Sequence, residues 1–115
     1  MADRDINAFR KLVPDPEIDD AIVGFHAQQS VEKCIKAVLA RYEVAVRKVH
    51  DLHALIDLLT ERRLPVPPMH KEIVELNPFA VVFRYELAET EALDRSLAKT
   101  TVDAVRGWAE ECVSK

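Results

Sequence analysis

Glycine is scarce in this chain: only two occur among 115 residues. A β-sandwich or barrel turns often and needs many residues with permissive backbones, so few, long elements are expected instead. With two glycines there is also no Gly-rich phosphate loop and no dinucleotide-binding fingerprint. Cysteine is equally sparse. Cys34 and Cys112 are far apart, form no CxxC pair, and read as free, small core residues on helices. Neither HExxH nor GxSxG appears, which removes the commonest zinc-hydrolase and serine-hydrolase signatures. Positive charge is not in excess: 16 Lys and Arg stand against 20 Asp and Glu, a formal net charge of -4. Holding duplex nucleic acid by counterion release favours a basic domain, so unspecific DNA or RNA binding is disfavoured. No apolar run approaches the ~18–20 residues of a membrane span, and the N-terminus MADRDINAFRK lacks the apolar stretch of a signal peptide. A cytoplasmic protein with no membrane contact is expected.

What is present fits one helical domain over residues 1–115. Hydrophobic residues make up 49% and charged residues 31%, a globular balance. The length falls within the roughly 100–200 residues of a single domain. Asp3 to Val13 reads as a first helix with Ile6, Phe9, Leu12 and Val13 on one side. Pro14-Asp15-Pro16 stops it. A second helix is expected from Pro16 or Glu17 to about Glu43, with a proline and acidic residues at its start. Its apolar residues (Ile22, Phe25, Ala27, Val31, Cys34, Ile35, Val38, Leu39 and Tyr42) cover more than half the circumference. A surface helix needs a stripe only a little over ~100° wide, so this helix packs on two sides. It is central in a bundle, in a dimer interface, or both.

Asp51 is a candidate N-cap for a third helix, in which Leu52, Leu55, Ile56 and Leu59 follow helical spacing up to Arg62-Arg63. Leu64-Pro65-Val66-Pro67-Pro68 is a stiff linker. Lys71 to Phe83 reads as a fourth helix, interrupted or bent at Asn77-Pro78. The last helix is placed from about Thr90 to Val113, with Leu93, Leu97, Thr101, Val105, Trp108 and Cys112 at spacings of three and four. Long helices on short connections predict an all-α fold, an antiparallel up-and-down bundle of four to five helices.

The residues able to carry chemistry cluster on the second helix. His26, Gln29, Lys33 and Lys36 form one polar row beside the apolar arc. Gln28 and Glu32 point into that arc, where an unpaired carboxylate or carboxamide is costly. Three readings follow: an interhelical polar network that fixes register, a polar pocket for nucleotide, RNA backbone or partner, or simple solvent exposure. Arg84-Tyr85 follows an apolar run. Arg84 is able to reach inward, with Glu32 as a natural partner, or to bind phosphate through its planar fork. His50 and His53 are three apart around Asp51. His50 is expected just outside the helix, so the pair does not make a metal site without further ligands, and no metal or cofactor is expected.

The segment Phe25-His26-Ala27-Gln28-Gln29-Ser30-Val31-Glu32-Lys33-Cys34-Ile35-Lys36-Ala37 is similar to a signature of HEPN domains (higher eukaryotes and prokaryotes nucleotide-binding). Val49-His50-Asp51-Leu52, with Leu55-Ile56 and Leu58-Leu59, resembles that family's "HDL..LL" helix start, and Phe83-Arg84-Tyr85 its "RY" element. The resemblance spans nearly the whole chain. It implies a bundle of four to five helices and a homodimer. It also implies a minimal nucleotidyltransferase as partner, and a link to nucleotide or RNA. In one branch such pairs are toxin and antitoxin, and the HEPN protein is a metal-independent ribonuclease using an Arg followed a few residues later by a His. Here Glu89, Thr90 and Glu91 stand at those distances after Arg84. Acid–base cleavage needs a group that titrates near neutrality, which these do not supply. The resemblance therefore favours a non-catalytic binding subunit. The alternatives are a ribonuclease with a degenerate site, built on Arg84 with His26 or His50, and a purely structural or regulatory helical protein. By analogy with the toxin branch, Tyr85 is a candidate target for nucleotidyl modification by the partner.

Overall fold

The computed structural model describes residues 3–46, 48–80 and 92–114. Among them are five α-helices: α1 (Asp3–Leu12), α2 (Asp20–Arg41), α3 (Leu52–Glu61), α4 (His70–Val74) and α5 (Arg95–Ser114). A 3-10 turn, Asn77–Ala80, follows α4. No strand occurs among the described residues.

α2 is the axis of the molecule, in contact with α1, α3, α5 and the 3-10 turn. Val23, Ala27, Val31, Ile35, Val38 and Leu39 are all buried in the one core cluster. That cluster also takes Ile6 and Phe9 of α1, Leu52, Leu55 and Leu59 of α3, and Val102 and Val105 of α5. The wide apolar arc is thus explained by packing within the chain. Its limits differ from the expectation: Ile22 and Tyr42 are exposed, while Val23, Gly24 and Ser30 are buried. On α5 the buried face is likewise rotated, taking in Ala98, Val102 and Ala109 and leaving Leu97 exposed. A Cβ on Gly24 would lie 2.3 Å from the Phe79 ring, so the bare glycine lets the 3-10 turn close onto α2.

Side-chain pairs give the helix directions. Asp3 meets Arg106, and Arg10 meets Asp103 at 3.1 Å. Arg95 reaches the carbonyls of Leu12 and Val13. α1 and α5 therefore run antiparallel. α2 and α5 run the same way, as alternate long helices do in an up-and-down bundle. Asp20 holds Arg95 at one end, and Cys34 and Arg106 line one cavity at the other.

The helix ends correct several boundaries. α2 begins at Asp20, not at Pro16 or Glu17. The Asp15 carbonyl accepts from Ile18 N at 3.2 Å, closing a turn, and the carbonyls of Asp15 and Ile18 also accept from the Arg95 guanidinium. The Asp15 carboxylate accepts from Glu17 N at 3.0 Å, which fixes a turn there. α2 ends at Arg41 because Glu43 adopts φ 63. Val44 N then donates to Leu39 O and Glu43 N to Ala40 O, a Schellman closure. α3 ends the same way, with Arg63 at φ 57 and Leu64 N donating to Leu59 O. Of the interruption or bend expected at Asn77-Pro78, the structure shows an interruption, with α4 ending at Val74 and a separate 3-10 turn over Asn77–Ala80. α5 starts at Arg95, later than Thr90, because the Asp94 carboxylate accepts from Leu97 N at 3.0 Å and caps the helix.

Candidate functional site

The polar residues singled out on α2 are divided between two clusters. Gln28 and Glu32 do point inward, at 0% and 4% exposure. A buried carboxylate persists only where its lone pairs are used. Glu32 Oε1 accepts from Gln28 Nε2 at 3.0 Å. Glu32 Oε2 accepts from Lys36 Nζ at 3.1 Å and lies 3.1 Å from His50 Nδ1. Gln28 Nε2 also donates to the His50 carbonyl, and Gln28 Oε1 accepts from Gln29 Nε2 at 2.8 Å. The network ties the middle of α2 to the segment that enters α3.

That segment is braced from below. Asp51 caps α3, its carboxylate accepting from His53 N and Ala54 N. Asn77 of the 3-10 turn donates to the Asp51 carboxylate at 3.0 Å and accepts from Leu52 N at 2.8 Å. His50 is therefore anchored at its carbonyl and through the two residues that follow it, while its side chain is 63% exposed. Its Nδ1 faces Glu32, and Nε2 has no hydrogen bond among the described residues. A carboxylate behind an imidazole fixes the ring's orientation, which suits it to bind or relay a proton at the outer nitrogen.

The second cluster sits between α1 and α2. Lys33 Nζ donates to Asp5 Oδ2 at 2.5 Å. His26 Nδ1 lies 3.8 Å from Asp5 Oδ1, too far for a hydrogen bond. His26 and His50 thus face different carboxylates on different elements, and the buried His26 Nδ1 has no hydrogen-bond partner among the described residues. Every cation of the polar row is neutralised within the chain: Lys33 by Asp5 and Lys36 by Glu32. Arg84 and Tyr85 lie outside the described residues. Glu32, expected to pair with Arg84, has Gln28, Lys36 and His50 as its described partners.

Three contributors escaped the sequence. Asn77 was legible only as a helix breaker beside Pro78. Arg95 donates to four backbone carbonyls and the Asp20 carboxylate, and its only sequence signal was a basic residue near a helix start. His70 meets His53, not His50, with Nε2 3.3 Å from His53 Nδ1. Among the described residues no group of three or more His, Cys, Asp or Glu is placed to hold a metal ion. None of the described helices is long and apolar enough to cross a membrane.

The site geometry agrees with the family resemblance. Two of the segments that carry it, Phe25–Ala37 and Val49–Leu52, are joined by the Glu32 network; the third, Phe83-Arg84-Tyr85, lies outside the described residues. Comparison with the curated proteins and with the solved structures gave no match. The family model described as HEPN domain matches residues 1–114, so the chain belongs to the HEPN-domain family.

Proposed function

We propose that this chain is a HEPN-domain binding subunit that dimerises, pairs with a minimal nucleotidyltransferase, and has no catalytic activity of its own. The observation that carries this reading is the state of the polar row. Lys33, Lys36 and Glu32, the charged side chains best placed for chemistry on α2, are engaged with partners in the same chain. A phosphate site needs uncommitted donors. Buried polar side chains with their groups engaged, as Gln28 and Glu32 are, instead fix register and shape, which is what a docking subunit needs. Any nucleotide contact is then made jointly with the nucleotidyltransferase. The test is sedimentation of the full chain at tens of micromolar, alone and with the candidate nucleotidyltransferase. A species of about twice 13.0 kDa, and a heavier one with the partner, are expected. A monomer that ignores the partner would sink the reading.

One observation favours a second reading, a ribonuclease with a rebuilt site. The Glu32–His50 contact holds an exposed imidazole in the way a general base is held. On that reading His50 takes or gives the proton, and Arg84 binds the scissile phosphate. Cleavage of RNA by the purified protein, abolished by His50→Ala, is its signature.

A further inference from the structure

The four histidines of the chain differ in what stands behind the ring. His53 and His70 touch each other through ring nitrogens, and His26 Nδ1 has no hydrogen-bond partner among the described residues. Among those residues His50 alone has a ring nitrogen hydrogen-bonded to a buried carboxylate, Nδ1 to Glu32 Oε2 at 3.1 Å. Glu32 is held in turn, Oε1 accepting from Gln28 Nε2 and Oε2 from Lys36 Nζ. The His50 backbone is held as well, its carbonyl accepting from Gln28 Nε2. A carboxylate that accepts at Nδ1 selects the tautomer with the proton there. The lone pair is then on Nε2, which has no hydrogen bond among the described residues, on a side chain 63% exposed.

We infer that His50 Nε2 is a phosphoryl-acceptor site, taking a phosphoryl group from a small donor of the phosphoramidate or acyl-phosphate class, with Glu32 as the positioning carboxylate. An imidazole nitrogen with a free lone pair is a nucleophile. The carboxylate at the opposite nitrogen stabilises the positive charge that the ring gains when Nε2 is substituted. Lys36 shares Oε2 with His50, so carboxylate, ammonium and neutral ring together carry no net charge, and they do not repel an incoming dianionic group. The neighbouring Asp51 carboxylate is turned into α3, where it accepts from His53 N, Ala54 N and Asn77 Nδ2. The same Lys36 ammonium counts against a cation at this ring.

The step balances with no further reactant. The Nε2 lone pair attacks phosphorus, the N–P bond forms, and the bond from phosphorus to the donor's nitrogen or oxygen breaks. The leaving group takes that bonding pair, departing as ammonia from zwitterionic phosphoramidate or as acetate from acetyl phosphate. The Nδ1 proton stays on the ring, against Glu32. Water reverses the modification by attacking phosphorus: the N–P pair returns to Nε2, and inorganic phosphate leaves with both protons of the water. The site needs neither the dimer nor the nucleotidyltransferase, and it stands or falls apart from the proposed function.

The experiment is incubation of the full chain, free of any histidine tag, with phosphoramidate. Intact mass counts the groups added. Peptide mapping under alkaline conditions, where the N–P bond survives, locates them. The first phosphoryl group is expected on His50, at a rate at least about tenfold above those at the exposed His53 and His70. In the chain unfolded in urea the three rates should converge. Glu32→Gln should slow labelling of His50 about tenfold and leave His53 and His70 unchanged, with circular dichroism establishing that the variant keeps its helix. Should that variant not fold, the comparison of the three rates in the native and urea-unfolded parent decides alone. No labelling of the native chain, equal native rates at the three histidines, a His50 preference that survives in urea, or an unchanged His50 rate in folded Glu32→Gln would each overturn the assignment.

Discussion

At the scale of single residues, the two glycines have opposite roles. Gly24 faces the Phe79 ring, and an added Cβ would lie 2.3 Å from it. Gly107 faces open space. Gly107→Ala should stabilise the fold by about 0.5–1 kcal/mol through helix propensity. Gly24→Ala gains the same propensity but overpacks the α2–turn contact, at a cost of about 1–3 kcal/mol. Urea unfolding of the two variants should move the midpoint in opposite directions. Cys34 adds a pH signature. Burial first, then the nearby Asp3 charge, pushes its thiol up from 9.0 to about 11, with Arg106 opposing and Glu110 adding to the rise. The folded state therefore holds the proton more tightly than the unfolded chain. The sign follows: Cys34's contribution is fully present below pH 9 and is lost as pH rises toward 11, by about 3 kcal/mol. Cys34→Ser should flatten the part of the alkaline stability loss that this thiol causes. In the native parent at pH 8, Cys34 should resist alkylation until the chain is unfolded.

At the scale of elements, two helices close on left-handed residues that are not glycine. Glu43 and Arg63 sit at φ 63 and φ 57 after α2 and α3. Such a conformation costs a side-chain-bearing residue about 1 kcal/mol relative to glycine. Arg63 is exposed. Arg63→Gly should accordingly raise the melting temperature by a few degrees, about 0.5–1 kcal/mol in a domain of this size. A lower melting temperature would mean that the Schellman closure is not the dominant feature there. These ends also show what periodicity carries and what it does not. The inward position of Gln28 and Glu32, the two-sided burial of α2 and the Asp51 cap were legible, because each depends on local spacing. The start of α2 was not. Proline and acidic residues at 16–19 imitate a helix start, but a turn closes there from Ile18 N to the Asp15 carbonyl, and Arg95, distant in sequence, donates to the carbonyls of Asp15 and Ile18.

At the scale of the molecule, the bundle was legible from few glycines, long amphipathic segments and short connections. The candidate site was legible only in part. His26, Gln29, Glu32, Lys33, Lys36 and His50 were singled out, but their division between Asp5 and Glu32 is a tertiary fact that spacing along one helix does not contain. That division is what the proposed reading rests on. A row of free cations beside a buried acid would suit phosphate. A row already neutralised, with a network joining the two signature segments, suits a scaffold that presents a surface to a second copy and to a nucleotidyltransferase.

The central claim, a HEPN domain that binds without cutting RNA, is tested most directly in cells expressing the chain alone, beside cells expressing Arg84→Ala and His50→Ala. Growth is followed and total RNA is profiled in all three. The account predicts normal growth and intact RNA in every case. Growth arrest with cleaved RNA in the parent, relieved by either substitution, would contradict it and assign the exposed imidazole behind Glu32 to catalysis.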